Sequence, residues 1–306
     1  MAGATETDPG TQAEAGSKTG NLVTEYQLAW TQFCREWKLH LSLIVLIGII
    51  VFPLVMLLMM STQSIQQIRA NEFAVGSMFV ENYTSVLYDQ GFIGYMWTSF
   101  IMATAIAVGK VLLALLAAMA LVYYDFPFQR LLLIVILLTL LLPIPVLIVP
   151  LFELMSNLGG IHPLFGPATM FALVVPYLAS PTALLLLYQH FRAIPDSYIE
   201  TAQLDDIGPM RFLVFVLVPM SKNMLIGLFV ISFIWGWNQY LWPLVVDASG
   251  GDTVVQIGLQ GLMIEGAGEA PWGIITAGAA LALLPPVVLL LMLRKQLLTT
   301  FNLQTK

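Results

Sequence analysis

The sequence predicts an all-α polytopic membrane protein with six transmembrane helices, both termini on the cytoplasmic side, and a cytoplasmic helical elbow between spans four and five. Three observations carry this. Only 10% of the 306 residues are charged, while 58% are hydrophobic; soluble domains carry roughly 25% charged residues. The mean hydropathy is +0.86. Several apolar runs reach the roughly 20 residues needed to cross a bilayer core. In lipid the backbone must satisfy itself, which makes runs of this length helices.

Taken in order, residues 1–20 are rich in Ala, Gly, Thr and acids with no apolar period, the composition of a disordered tail. Residues 21–40 place Leu22, Tyr26, Ala29, Trp30, Phe33 and Trp37 at spacings of three and four. That is an amphipathic helix, fit either for the cytoplasmic membrane surface or for packing on its own bundle. The first span, 41–60, is too long for a signal-peptide core and has no small-residue cleavage site after it, so it is read as retained. A segment over 61–95 follows, polar at its start through Ser61, Thr62, Gln63, Ser64, Gln66 and Gln67, with Asn82 and Tyr83 beyond. It is long for a simple connection and suits a lid or an external contact. The remaining spans fall at 97–124, 131–155, 167–189, 224–246 and 272–293. A short tail, 296–306, ends the chain.

Orientation follows from the basic residues. With the N-terminus inside, Lys18, Arg35, Lys38, Arg130, Arg192, Arg211, Lys222, Arg294, Lys295 and Lys306 are cytoplasmic, ten of the 12 Lys and Arg. Arg69 alone is outside, and Lys110 lies within a span. This is a strong positive-inside bias. The outer loops carry Glu72, Glu81, Asp89, Asp247, Asp252, Glu265 and Glu269 instead. The net charge of −6 is spread over loops and gives no basis for nucleic-acid binding. Cys34 is the single cysteine, which excludes a disulfide within the chain and a cysteine-built metal site.

The loop over 195–219 is the most informative stretch. Pro195 is suited to a first helical turn, and Asp196 and Ser197 offer acceptors to free amides. Tyr198, Ile199 and Ala202 can share one face, flanked by Glu200 and Gln203. Gly208-Pro209 breaks this helix, residues 210–218 restart it, and Pro219 closes it near the membrane. A link between spans can be far shorter, so this one has a task beyond connection. A polar helix-turn-helix held between two spans suits docking to a soluble partner.

At these residues the chain resembles the inner-membrane permease subunits of bacterial ATP-binding-cassette importers. Their signature, the EAA loop, reads roughly Glu-Ala-Ala-x-x-Asp-Gly-Ala with a Pro some nineteen residues after the Glu. Glu200, Ala202, Asp205 and Pro219 match in place; Thr201, Asp206 and Ile207 stand where Ala, Gly and Ala are usual. The usual Gly permits a positive φ. Asp tolerates that better than most residues, and Gly208, two positions on, is available to take over the bend. The resemblance runs from the first span to the C-terminus and is closest to the carbohydrate-uptake permeases of the maltose and glycerol-3-phosphate type. Gly109-Lys110, Tyr123-Tyr124-Asp125-Phe126-Pro127, Pro209-Met210-Arg211-Phe212, Trp235 to Pro243, and Pro285-Pro286 are similar to the glycerol-3-phosphate permeases.

What the resemblance implies is a permease domain over 41–295 whose elbow docks on ATP-binding subunits. A second permease subunit completes the path, an extracytoplasmic solute-binding protein delivers the solute, and two ATP-binding subunits drive alternating access. The solute class is a sugar, a polyol or a glycerol-phosphate ester. ATP and Mg are held by the partners and no cofactor by this chain, which has no Gly-x-x-x-x-Gly-Lys-Ser/Thr loop. The coupling residues implied are Tyr198, Glu200, Ala202, Leu204, Asp205, Asp206 and Gly208. Glu200 anchors the elbow in the partner's groove, with Tyr198, Ala202 and Leu204 burying against it. Spacing alone reads Glu200 equally as a solvated helix charge.

Within the membrane, Lys110 requires a partner. Two readings stand: a counter-charge for an anionic solute, or a structural lock on Glu153 or on backbone carbonyls. Asn238, Gln239 and Tyr240 cluster amide and phenol groups suited to a hydroxyl-rich solute or to gating. Trp235, Trp237 and Trp242 offer ring faces, with an interfacial belt as the plainer reading of Trp242. Pro143, Pro145, Pro150, Pro176 and Pro181 break spans three and four. An ion-coupled secondary transporter is the main rival; it needs intramembrane carboxylates, and only Glu153 approaches that role. His40, His162 and His190 show no metal-ligand spacing, which argues against an intramembrane enzyme.

Overall fold

A computed structural model describes residues 35–161, 169–246, 253–265 and 271–302, and among them every regular element is helical. The tail over 1–20, most of the 21–40 helix, His162, Asp247, Asp252, Glu269 and residues 303–306 lie outside the described residues. The chain divides into two compact units, Met1–Leu57 and Leu58–Lys306.

The first unit holds most of α1, Trp37–Met60, an apolar helix with Pro53 inside it and no buried residue. It begins earlier than the expected span start at 41. The amides of Leu39 and His40 both bond the Glu36 carbonyl, at 2.9 and 3.0 Å, so the turn before the apolar run is already helical. Hydropathy marks where lipid begins, and hydrogen bonding marks where the helix does.

The second unit opens with a compact cap formed by the segment after α1. Ser64 and Gln67 close a capping box at the start of α2, Ile65–Arg69. Gln63 is 1% exposed and donates through Nε2 to the carbonyls of Glu72 (2.8 Å) and Ala74 (2.6 Å). Asn82, on α3 (Phe79–Thr84), donates through Nδ2 to the carbonyls of Ser61 (3.0 Å) and Gln63 (3.1 Å). The polar start of this segment is thus consumed internally. Its buried amides satisfy a chain that has no regular sheet or long helix to do so.

Helix α4, Phe92–Tyr123, is the central span. Its buried face carries Ala103, Ala107, Ala114 and Ala118, small residues that let neighbouring backbones approach. Gly236 on α11 (Lys222–Trp237) meets this face so closely that a Cβ there would stand 3.0 Å from the Ala103 Cα. Further along the helix, Ala114, Leu115 and Ala118 pack with α8, Pro181–Arg192, through Leu184, Leu187 and Phe191.

Three expected spans are not straight. The third divides into α5 (Gln129–Leu138, prolonged by a tight turn to Leu141) and α6 (Ile144–Ile161), with a sharp bend at Leu142 and Pro143. Pro143 has no N–H to continue the ladder and pushes Leu142 into extended backbone (ψ 121°). The fourth divides into α7 (Met170–Val174, prolonged to Tyr177) and α8, bent by 45°, where the Ser180 side chain caps the restart before Pro181. The fifth, expected as one run over 224–246, ends instead at Trp237; Asn238–Tyr240 leave the helix, and α12, Leu241–Val246, restarts it. An unexpected helix, α13 (Val255–Glu265), fills part of what reads as an outer loop, burying Val255 and Leu262 against the Phe92 end of α4 and the start of α14. Helix α14, Trp272–Asn302, runs past the expected end at 293. Among the described residues three helices are long and apolar enough to cross a membrane, or up to six spans if each bent pair counts as one.

Gly273, on the first turn of α14, sits on the cap: a Cβ there would lie 2.7 Å from both Asn82 Nδ2 and the Gln63 carbonyl oxygen. Gly273→Ala is expected to destabilise the purified protein by about 1–3 kcal/mol, the usual cost of overpacking, read as a lowered unfolding midpoint in detergent. Gly94→Ala, where no atom lies within 4 Å, is expected to leave the midpoint unchanged or raised.

Candidate functional site

Two groups of residues concern function: the elbow after α8, and the polar break after α11. In the elbow, α9 spans Ser197–Leu204. Its first turn is built by the Asp196 carbonyl, which accepts from the amides of Ile199 (2.9 Å) and Glu200 (3.0 Å). Thr201, where the EAA pattern has Ala, returns its hydroxyl to the Ser197 carbonyl at 2.7 Å and so remains compatible with the helix.

The helix stops at Asp206, which takes the left-handed conformation (φ 52°). The Ile207 amide then bonds the Ala202 carbonyl at 2.9 Å, the six-to-one bond of a Schellman turn, and Ile207 and Ala202 join the same apolar cluster. The Gly usually found at position 206 is therefore replaced by a residue that adopts the same geometry at some cost. Gly208 does not take over the bend: its φ of −65° and ψ of 159° are ordinary extended values, and it precedes α10, Pro209–Phe212. That helix continues through a wide turn at Leu213–Leu217 to Met220. Pro219 lies inside the last turn, and the chain breaks two residues later, at Ser221, with a bend of 81° into α11.

Exposure sorts the elbow residues. Glu200, Asp205, Asp206 and Gly208 are exposed, as are Tyr198 (49%) and Leu204 (87%). Glu200 and Leu204, four residues apart, share the outward face. Ala202 differs from expectation: it is buried, packed with Ile199, Ile194, Phe191 and Phe212 in the chain's own cluster, so it fastens the elbow to the bundle and is closed to a partner. Met210, 63% exposed just after the Gly-Pro turn, is an outward apolar residue that the EAA pattern does not flag.

One side chain joins the elbow to two spans. Tyr123, the last residue of α4, donates its hydroxyl to the Phe191 carbonyl at 3.3 Å. Its ring meets Phe212 edge-on, with centroids 5.5 Å apart, and leans on Phe191 at 6.0 Å. Beside this root lies a cavity of about 420 Å³, lined by Tyr123 and Phe191 together with Gln129, Arg130, Arg192 and Asp196. The elbow is held by this aromatic root and by the apolar cluster of Ile194, Ile199, Ala202 and Ile207.

At the second group, Asn238, Gln239 and Tyr240 form the gap between α11 and α12. Asn238 Nδ2 bonds the Ile234 carbonyl (2.9 Å), while its Oδ1 accepts from Gln256 Nε2 at 3.4 Å. Tyr240 is hydrogen-bonded to Gln260. Gln239 Nε2 returns to the Trp235 carbonyl at 3.5 Å. Gln256 and Gln260 thus belong to the same polar group. Their four-residue spacing was the available signal, hidden because α13 reads as loop.

Lys110 is 8% exposed, and its Nζ sits over the Trp235 ring, 3.5 Å from the centroid. Among the described residues no carboxylate forms an ion pair with it, so the expected lock on Glu153, which is exposed on α6, is absent. The tryptophans divide. Trp235 is half-buried beneath Lys110 and meets Tyr177 edge-on at 4.8 Å. Trp237 and Trp242 are fully buried and donate to the carbonyls of Ala282 and Ala172, each at 3.0 Å. Trp242 is therefore a bundle residue, not part of an interfacial belt.

The family described as the inner membrane component of binding-protein-dependent transport systems matches residues 110–298. The chain belongs to this family. The permease is 34% identical over 265 residues to the sn-glycerol-3-phosphate transport system permease protein UgpE of Brucella melitensis, covering 84% of this chain and 92% of the relative. It is 35% identical over 266 residues to UgpE of Escherichia coli K12, with the same coverage. Its fold is that of a solved bacterial ABC transporter involved in import of the acidic polysaccharide alginate, with TM-score 0.74 over 85% of this chain and 96% of that one, at 19% identity. The permease is accordingly a multi-pass inner-membrane subunit of an ABC importer.

The left-handed Asp206 gives a direct test. Asp206→Gly is expected to stabilise the elbow by about 1 kcal/mol, the penalty that a Cβ carries in this conformation. Asp206→Val, β-branched, is expected to loosen it. Hydrogen exchange at the Ile207 amide, slower in the first variant and faster in the second, checks both.

Proposed function

We propose that this permease is one of two dissimilar membrane subunits that together form the path of an importer for a glycerol-phosphate-type solute, within the wider class of sugars and polyols. It spans the membrane six times with both termini cytoplasmic. Three long helices and three bent pairs support the count, and the distribution of Lys and Arg supports the orientation. Both UgpE relatives are named for sn-glycerol-3-phosphate transport, and this supports the solute class.

The observation that carries the coupling role is the elbow's division into two faces. Its inner face, through Ala202, Ile199 and Phe212, is fastened to α4 and α8. Its outer face presents Glu200, Leu204, Tyr198 and Met210, which have no core to enter. An exposed Leu beside an exposed Glu on a short helix fits a groove with an apolar floor and a polar rim on an ATP-binding subunit. Two such subunits hold ATP and Mg; this chain holds neither. Their closure displaces the elbow, and the Tyr123 contact carries that displacement into α4 and α8. A solute-binding protein outside delivers the solute to a path lined by Lys110, Asn238, Gln239 and Tyr240.

Glu200→Ala and Leu204→Asp are each expected to reduce ATP-driven uptake about tenfold or more, the loss seen when a buried interface anchor is removed, with insertion and span packing intact. Uptake assays together with mild-detergent co-purification of the ATP-binding subunits check this. Full uptake by both variants, with the subunits still bound, would remove the elbow from the docking surface.

A further inference from the structure

We infer that Lys110 is the counter-charge that receives the anionic group of the solute inside the membrane, and that the face of Trp235 holds its ammonium in the absence of solute. The inference rests on the glycerol-phosphate reading of the solute and deepens it to a residue.

Lys110 lies near the middle of α4, the longest described span, on the face that carries Ile106, Ala107, Ala114 and other buried residues. An ammonium at that depth is costly unless it is paired or bonded. Structural lysines in membranes are paired with a carboxylate or take backbone carbonyls. Here no carboxylate forms an ion pair with Nζ among the described residues, and the contact in place is an indole face at 3.5 Å. A ring quadrupole attracts a cation more weakly than a full negative charge does. Lys110 therefore holds a partner that a phosphate oxygen can replace.

The surroundings fit such a replacement. Trp235 and Tyr177 meet in a T-shaped contact at 4.8 Å, and Tyr177 in turn meets Trp242 in the same manner at 6.2 Å. These rings offer Nζ no anion of their own. Trp235 also leads directly into the break. Its carbonyl accepts from Gln239, and Asn238 and Tyr240 follow, linked to Gln256 and Gln260. The ring that holds Lys110 and the amide and phenol groups of the break thus lie within one short stretch of chain, residues 235–240. That arrangement matches an ester with a phosphate at one end and hydroxyls at the other. Among the described residues no other Lys or Arg stands mid-way along a long apolar helix: Lys38, Arg130, Arg192 and Lys222 are at helix ends, Arg69 and Arg211 are on short helices, and Arg294 and Lys295 lie near the end of α14. Desolvated phosphate needs a compensating charge on its way through, and Lys110 is the one that this subunit offers among its described residues.

A structural lock and a solute counter-charge differ in what removal does to stability. If Lys110 holds the fold together, Lys110→Met lowers stability. If it is kept for an anion that comes and goes, Met relieves the cost of a buried charge and raises stability while transport suffers. The experiment uses the whole importer in proteoliposomes, with the solute-binding protein outside, ATP inside, and radiolabelled glycerol 3-phosphate as the probe. Lys110→Met is expected to lower uptake about tenfold or more, to keep the ATPase stimulation produced by the loaded binding protein, and to raise the unfolding midpoint of the assembly. Lys110→Arg is expected to recover part of the uptake. Unchanged uptake in Lys110→Met overturns the inference, and so does a lowered midpoint accompanying lost uptake. No uptake of the ester by the wild-type importer removes the solute reading itself, and this inference with it; that outcome is distinct because it appears before any substitution.

Discussion

The contact of Tyr123 with Phe191 and Phe212 is the interaction on which the rest of this permease depends. It brings the last residue of the central span, the end of α8 and the end of α10 into one aromatic cluster. Close-packed interiors transmit displacement because their side chains have nowhere to yield. The hydroxyl adds a directional tie to the Phe191 carbonyl. Around this point the inner face of the elbow packs through Ile199, Ala202 and Ile207, while Glu200 and Leu204 face outward and a cavity opens toward Arg130 and Arg192. An elbow fastened at many points would resist a partner's motion, and one fastened nowhere would absorb it.

The second theme is the treatment of helix breaks. Each break frees backbone groups that lipid cannot satisfy, and each is answered locally. Ser180 caps the restart of α8, and Asn238 and Gln239 bond back to carbonyls of their own helix. Tryptophan serves the same end from further away. Trp237 and Trp242 donate to carbonyls on α14 and α7, so the large rings act as both packing and hydrogen-bond donors. Many buried polar groups in this bundle are therefore engaged with backbone; Lys110, over a ring, differs, as do Thr104 Oγ1, His190 Nε2 and Ser221 Oγ, which are buried without a hydrogen-bond partner among the described residues.

Much of this was legible in the sequence. The existence of the spans followed from apolar runs, and the elbow from its punctuation: Pro195 and Gly208-Pro209 stand out in a chain otherwise dominated by hydrophobic residues. What stayed hidden had physical reasons. The break at Asn238–Tyr240 carries no Pro or Gly within it, and a polar triplet in an apolar run reads equally as a lining. Helix α13 is too short to register as a span and is flanked by acids, so it reads as loop until Val255 and Leu262 are seen to be buried. Ala202 looks like any small residue on an eight-residue helix, and only tertiary packing decides which face turns inward. An interfacial belt is the plainer reading of Trp242 because tryptophan is common at membrane surfaces; only the fold shows its indole N–H satisfied by the Ala172 carbonyl inside the bundle. The left-handed turn at position 206 was foreseeable, but which residue would adopt it was not, since Gly208 offered a freer backbone nearby.

The bend at Ser221 has a mechanical consequence. The helical arm Pro209–Met220 meets α11 at 81°, close to a right angle. At 1.5 Å per residue the arm is about 18 Å long, so a shift of about 3 Å at its far end corresponds to a turn of about 10° at the corner. Such an arm works as a crank. A lateral stroke at its far end would turn α11 about its own axis by about that angle, and the close approach of Gly236 to Ala103 sets how far such a turn can go.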